Sequence, residues 1–298
     1  MLVLTTAKIR KEIKIAALMA CDNVYSTSIP PLLFSLGAAI RYGLGPRDMT
    51  EVLALSGAWS VLFLFAFEGV NQFTAPQEDS INKPYRPVPA GLATRSGMGY
   101  RGLVYCTAFL GLSALISRGT LWAAVLWLSV FVGYLTLPAR CYLITKPAAM
   151  LLGVAAQEAG AWSIVHPLDA TGWRWSLTIA VMFIFPLPLE DVRDMPGDRA
   201  IGRVTLALVA GARPVRIWFT AMMTVWPLTA YLLLFRDSGA GRSNILAVTG
   251  LFLVLCWSAG LYVSTKSTQH AYRVGYQLYV AVHVALVASP LILLGSVR

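Results

Sequence analysis

The chain has 298 residues, of which 57% are hydrophobic and only 13% charged, with a mean hydropathy of +0.66; soluble domains run at about a quarter charged. Length alone would allow two soluble domains, but composition excludes them: nine bilayer crossings of ~21 residues would use roughly 190 residues and leave about 100 for connections. The net charge of +10 is scattered in short flanks between apolar runs, which suits a protein facing anionic lipid headgroups and excludes the single basic patch of a nucleic-acid binder.

In chain order, Lys8, Arg10, Lys11 and Lys14 precede the first apolar run. That run is too long for a signal peptide and has no small-residue cleavage site, so it reads as an uncleaved first span. Spans are predicted at 15–40, 50–73, 99–117, 119–137, 147–165, 173–189, 213–235, 244–264 and 274–295. Counted on alternate sides, Lys and Arg number 17 on the N-terminal side and 7, Arg298 included, on the other. The N-terminus and the loops on its side are therefore predicted to be cytoplasmic. The expected fold is an all-α integral membrane protein, one domain over 1–298, with nine transmembrane helices around a central cavity that opens to the cytoplasmic side. Cys21, Cys106, Cys141 and Cys256 form no CxxC pair, and His166, His270 and His283 have no ligand spacing, so neither a zinc site nor a disulfide framework is indicated.

Carboxylates are scarce, and six of the 14 fall in two segments on the predicted cytoplasmic side. The first, within 71–95, runs from Asn71 through Glu78, Asp79, Asn82, Lys83, Pro84, Arg86, Pro87 and Pro89 to Gly91. The second, within 190–206, carries Glu190, Asp191, Asp194, Asp198, Arg199, Gly202, Arg203 and Thr205. Residues 190/191, 194 and 198 recur every three or four positions, which puts them on one face of a helix. Four carboxylates on one face repel one another unless a divalent cation sits among them, and oxygen ligands near phosphates suit Mg²⁺. Each acidic stretch is followed by cations: Lys83 and Arg86 after the first, Arg199 and Arg203 after the second. Acid, metal and then Lys or Arg is the arrangement expected for a diphosphate substrate. The prolines of 83–89 predict a rigid, non-helical loop holding Lys83 and Arg86 over the cavity mouth.

These segments resemble the UbiA superfamily of intramembrane prenyltransferases. NKPYRPVPAG (82–91) matches the tail of the family's first motif, and Asp191, Asp194, Gly197, Asp198 and Arg199, with Gly202, Thr205 and Leu206, match the second. Tyr134 with Lys146 resembles the connection in which a family Lys contacts diphosphate. The resemblance implies that Asn71, Asp79, Asp191, Asp194 and Asp198 are catalytic and, with Glu78, hold Mg²⁺. It further implies that Lys83, Arg86, Lys146 and Arg199 bind diphosphate. One departure is specific. Where the family carries an acid four residues after the Asn, this chain has Ala75, and Glu78 precedes Asp79. That variant looks more like the UbiA-type terpene cyclases, in which the ionised allylic chain closes on itself.

Asp22, Asn23, Tyr134, Glu158, Trp162 and Phe183 are candidates for the wall of the cation cavity, since aromatic faces stabilise cations and acids inside spans should face the interior. Two readings stand side by side. One is a Mg²⁺-dependent class I cyclase of a polyprenyl diphosphate of 15 or 20 carbons. The other is a prenyltransferase with an aromatic or other small acceptor. A transporter is disfavoured because the acids sit at span ends and the hydropathy pattern shows no repeat. The expected partners are the diphosphate substrate and the lipid bilayer, with no protein partner indicated.

Overall fold

Within a bilayer every backbone N–H and C=O must be paired internally, which leaves helices or closed barrels. The computed structural model describes residues 6–295, and every regular element among them is helical. In chain order these are α1 (Thr6–Ala20), α2 (Ile29–Arg41), α3 (Pro46–Thr74), α4 (Pro76–Asn82), α5 (Arg95–Ile116), α6 (Arg118–Thr136) and α7 (Tyr142–Ser163). They continue as α8 (Ala170–Ile184), α9 (Pro188–Ala200), α10 (Leu206–Ala210), α11 (Ala212–Ala230), α12 (Arg242–Thr265), α13 (Gln269–Ala288) and α14 (Pro290–Leu293). Residues 1–5 and 296–298, among them Arg298 counted above for orientation, lie outside the described residues.

Among the described residues, six helices are long and apolar enough to cross a membrane: α3, α5, α6, α11 with its π-helical continuation Tyr231–Phe235, α12, and α13 with α14. The pair α8 and α9, bent by 47°, makes a seventh if taken as one span. The nine predicted spans are therefore revised in three places. The run 15–40 is not one helix: α1 stops at Ala20, and a π-helical turn, Val24–Ser28, leads into α2. Pro30 and Pro31 lack the N–H groups that would pair with carbonyls one turn earlier, and the Thr27 carbonyl accepts from Gln157 Nε2 at 2.5 Å instead. The run 147–165 begins earlier, at Tyr142, and α7 is not among the apolar six; it carries Lys146, Gln157 and Glu158. The run 173–189 ends its helix at Ile184, because Pro186 and Pro188 interrupt the hydrogen-bond ladder before α9.

The helices pack on small residues. A Cβ on Gly69 would lie 2.6 Å from the Gly102 Cα, so α3 and α5 touch backbone to backbone, as small residues allow in membranes. Two α7 glycines seat indole rings: a Cβ on Gly153 would fall 2.4 Å from Trp127 and one on Gly160 2.6 Å from Trp59. One core, built on Trp59, Phe63, Phe109, Trp127 and Phe131, joins α3, α5 and α6. A larger one joins α2, α7, α8, α11, α12 and α13 around Phe34, Trp162, Trp175, Phe219 and Phe252. Gly69→Ala should lower the thermal midpoint of the detergent-solubilised protein, at a cost of about 1–3 kcal/mol for forced backbone separation. Gly111→Ala, on α5 with nothing within 4 Å of the added Cβ, should leave it unchanged or raised.

Candidate active site

The first acidic segment is shaped by a helix break. α3 carries Asn71 in its last turn and stops at Thr74, and Ala75 leaves helical geometry (φ −121°, ψ 43°) before Pro76 opens α4. α4 presents Glu78, Asp79 and Asn82. The loop that follows is tied by turns, with Arg86 N donating to Lys83 O (3.0 Å) and Leu92 N to Pro87 O (2.9 Å). Gly91 takes the left-handed conformation that such a turn needs (φ +69°). The predicted non-helical loop is thus present, but Arg86 does not hang over the mouth. Its side chain is fully buried and is bonded to Asp79 (3.1 Å), Asp22 (3.1 Å) and Glu68 (3.4 Å).

The second segment is α9, as the three-to-four spacing predicts. Glu190, Asp194 and Asp198 recur every fourth residue and share one face, and all three line a cavity between the helices. α9 ends in a Schellman-type turn: Gly202 has φ +70° and Arg203 N donates to Asp198 O at 2.9 Å. This reversal brings the Arg203 side chain back over the acids, where Nη1 reaches Asp198 Oδ1 (3.0 Å) and Glu78 Oε2 (2.8 Å).

The two segments interlock through Asn82. Its amide donates to Glu78 Oε1 (3.0 Å) and to the Asp194 carbonyl (3.1 Å), and its Oδ1 accepts from Gly197 N (3.0 Å). A Cβ at Gly197 would sit 2.3 Å from the Asn82 side chain, so the glycine is what lets α4 and α9 meet.

Charge at this meeting point is paired cation by cation. Arg203 straddles Glu78 and Asp198; Lys146 straddles Asp191 (2.5 Å) and Glu190 (3.1 Å); Arg193 straddles Asp194 (2.6 Å) and Glu190 (3.2 Å). Lys83 lines the same cavity. Burial works against both acids of α4, with opposite results. Glu78 is held below the usual carboxylate range because Lys83 and Arg203 outweigh its burial. Asp79 is pushed up to about 6 by burial, against the pull of Arg86 and Lys83.

Among the described residues no three Asp, Glu, His or Cys side chains form a ready ligand group. The donor set nevertheless fits a divalent cation: pairs of carboxylates each already share one positive charge. An oxygen-liganded ion could replace such a charge, leaving Lys or Arg to phosphate oxygens.

Besides its acids and bases the cavity has two unlike walls. Phe63, Phe67 and Trp127 form an aromatic one, with Phe63 and Trp127 stacked at 4.7 Å and 3°. Asn23, Ser26, Thr27 and Gln157, beside the π-helical turn, form a polar one. Of the predicted site residues, Asn23, Asn71, Glu78, Lys83, Arg86 and Tyr134 line this cavity, as do Lys146, Phe183, Asp194 and Asp198.

The remaining predicted residues lie elsewhere. Asp22 and Asp79 are bonded to Arg86, and Asp191 to Lys146. Glu158 is fully buried, and neither of its oxygens has a hydrogen-bond partner. Trp162 is buried against Phe34 at 5.5 Å. Arg199 is exposed; one residue on from Asp198, it is carried about 100° around α9, and Arg203 takes the position predicted for it. Sequence reasoning also passed over Tyr142, whose hydroxyl accepts from Tyr134 at 2.9 Å and whose ring lies 4.5 Å below the Arg203 guanidinium. It likewise missed the wall of Phe63, Phe67 and Trp127.

A charged cluster and an aromatic wall lining one cavity, set inside a multi-pass helical membrane fold, define a class of protein suited to an amphipathic ligand with an anionic head. The chain belongs to the UbiA prenyltransferase family, whose profile matches residues 28–291. It is 30% identical to somaliensene A/B synthase of Streptomyces somaliensis over 94% of this chain and 93% of that protein. It is 29% identical to diterpene cyclase eriG of Hericium erinaceus, over 75% of this chain and 73% of that one. Among solved structures, a UbiA homolog from Archaeoglobus fulgidus bound to GPP and Mg²⁺ has the same fold (TM-score 0.60, 12% identity, 93% of this chain and 99% of that one).

Proposed function

We propose that this protein is a Mg²⁺-dependent, membrane-embedded class I terpene cyclase that ionises a polyprenyl diphosphate of 15 or 20 carbons and closes the resulting cation on itself. The observation that carries the reading is one cavity lined both by interlocked acids and bases and by the stacked Phe63–Trp127 wall. Similarity to a diterpene cyclase and to somaliensene A/B synthase supports cyclisation, as does Ala75 in place of the family's acid. The reading includes one domain with nine crossings, two of them built from broken helices. It places the N-terminus and the cavity mouth on the cytoplasmic side, following the Lys and Arg bias.

Glu78, Asp194 and Asp198, with Asn71, would hold Mg²⁺, which supplies positive charge against the departing diphosphate. Lys83, Lys146 and Arg203 bind the phosphate oxygens and stabilise the charge that develops there. The faces of Phe63, Phe67 and Trp127 stabilise the allylic cation through their quadrupoles, and the buried aromatic walls keep water from it.

A second reading, transfer of the prenyl group to a small acceptor, is favoured by 28% identity to polyprenyl transferase eriF of Hericium erinaceus over 69% of this chain and 71% of that one. The test uses detergent-purified protein with Mg²⁺ and geranyl, farnesyl and geranylgeranyl diphosphates in turn, without acceptor, and gas chromatography with mass detection of hexane extracts. A cyclic hydrocarbon or alcohol, absent when Mg²⁺ is chelated, is the expected result. Diphosphate left intact until an aromatic acceptor is added would overturn cyclisation in favour of transfer.

A further inference from the structure

The two neighbouring acids of the first segment do different things. Glu78 lines the cavity, and its Oε2 shares the Arg203 guanidinium with Asp198, one acid from each segment on a single cation. Asn71, on α3 just before the helix break, lines the same cavity. Asp79 is 1% exposed and does not line the cavity. Both its oxygens accept from Arg86 Nη1, at 3.1 and 3.3 Å.

That guanidinium is itself enclosed. Its Nε donates to Asp22 beside the break between α1 and α2, and its Nη2 reaches Glu68 on α3. Glu68 in turn accepts from Asn23 at 2.5 Å. The Arg86 cluster therefore joins the start of the π-helical turn, α3, α4 and the proline loop. Swinging Asp79 out to a metal would strip a buried guanidinium of a partner, whereas Glu78 has only to exchange one shared cation for another.

We infer that Glu78, not Asp79, is the acid that the first segment offers to the divalent cation, opposite Asp198, and that Asp79 is a positioning residue holding Arg86 under the motif loop. The inference rests on the prenyl diphosphate reading above and departs from what the resemblance to the family implies, that Asp79 holds Mg²⁺ together with Glu78.

The test is Mn²⁺ binding to the detergent-purified full chain, followed by electron paramagnetic resonance without substrate. It is paired with the Mg²⁺ concentration for half-maximal diphosphate release. Glu78→Gln should weaken Mn²⁺ binding at least about tenfold, with Glu78→Asp partly restoring it. Asp79→Asn should lose far less Mn²⁺ affinity than Glu78→Gln and keep the same Mg²⁺ half-saturation, while its kcat and thermal midpoint fall. Should Glu78→Gln not fold, Glu78→Asp must still shift Mn²⁺ affinity more than Asp79→Asn does. Asp79→Asn losing Mn²⁺ while the Glu78 variants keep it would overturn the assignment and leave the prenyl diphosphate reading standing. Loss confined to the Glu78 variants, in a protein that releases no diphosphate from any prenyl substrate, would support the assignment and overturn that reading.

Discussion

Asp198→Asn should reduce turnover of the prenyl diphosphate by about 10²–10³-fold, the range seen when one group poised on developing charge is removed. Asp198 is 1% exposed, lines the cavity, and faces Glu78 across the Arg203 guanidinium. Asparagine keeps the shape and an oxygen that can accept from Arg203, so the change removes charge and little else. Arg203 retains Glu78, so the thermal midpoint should move by only a few degrees. Diphosphate release measured against Mg²⁺ concentration checks both halves of the expectation: a lower kcat and a raised Mg²⁺ requirement. Asp194→Asn should act in the same direction, with Arg193 left to Glu190. Near-wild-type turnover in both variants would remove α9 from the metal site.

Much of this site is legible in the sequence because its chemistry is conspicuous there. In a chain so poor in charge, acids at two span ends stand out, and the three-to-four spacing of Glu190, Asp194 and Asp198 predicts the helical face that α9 presents. Lys146 is similarly visible as a cation near the start of an apolar run. What stays hidden depends on backbone direction. Arg199 and Arg203 both follow Asp198, and only the positive φ of Gly202 decides that Arg203 returns to the acids. Glu78 and Asp79 are adjacent, and the break at Ala75 and Pro76 determines which of them faces the cavity. The aromatic wall is hidden for another reason. Phe63, Phe67 and Trp127 lie in spans where apolar residues occur all around the helix, so periodicity does not reveal which face meets the cavity. The break within the predicted first span is hidden because hydropathy averages over Asp22, Asn23 and Pro30, which lie at the break.

The same hidden backbone turn gives Arg86 the largest expected effect on stability. Arg86→Met should cost at least about 3–5 kcal/mol, the usual result of breaking a buried ion pair from one side. Here the loss strands Asp22, Glu68 and Asp79, of which Glu68 and Asp79 are almost wholly buried. The three carboxylates come from three places, so their repulsion would act on the start of the π-helical turn, on α3 and on α4 together. Thermal denaturation in detergent should show a midpoint lowered by far more than in Gly69→Ala, and the yield of extractable protein should fall. Arg86→Lys should recover only part of the loss. One ammonium has the charge but not the planar fork that reaches Asp22 through Nε while Nη1 and Nη2 reach Asp79 and Glu68. Adding Asp79→Asn to Arg86→Met should raise the midpoint above that of Arg86→Met alone, because one stranded charge is gone. A double variant no more stable than the single one would show that Asp79 and Arg86 are not partners in the folded protein, and the positioning role assigned to Asp79 would fall with that pairing.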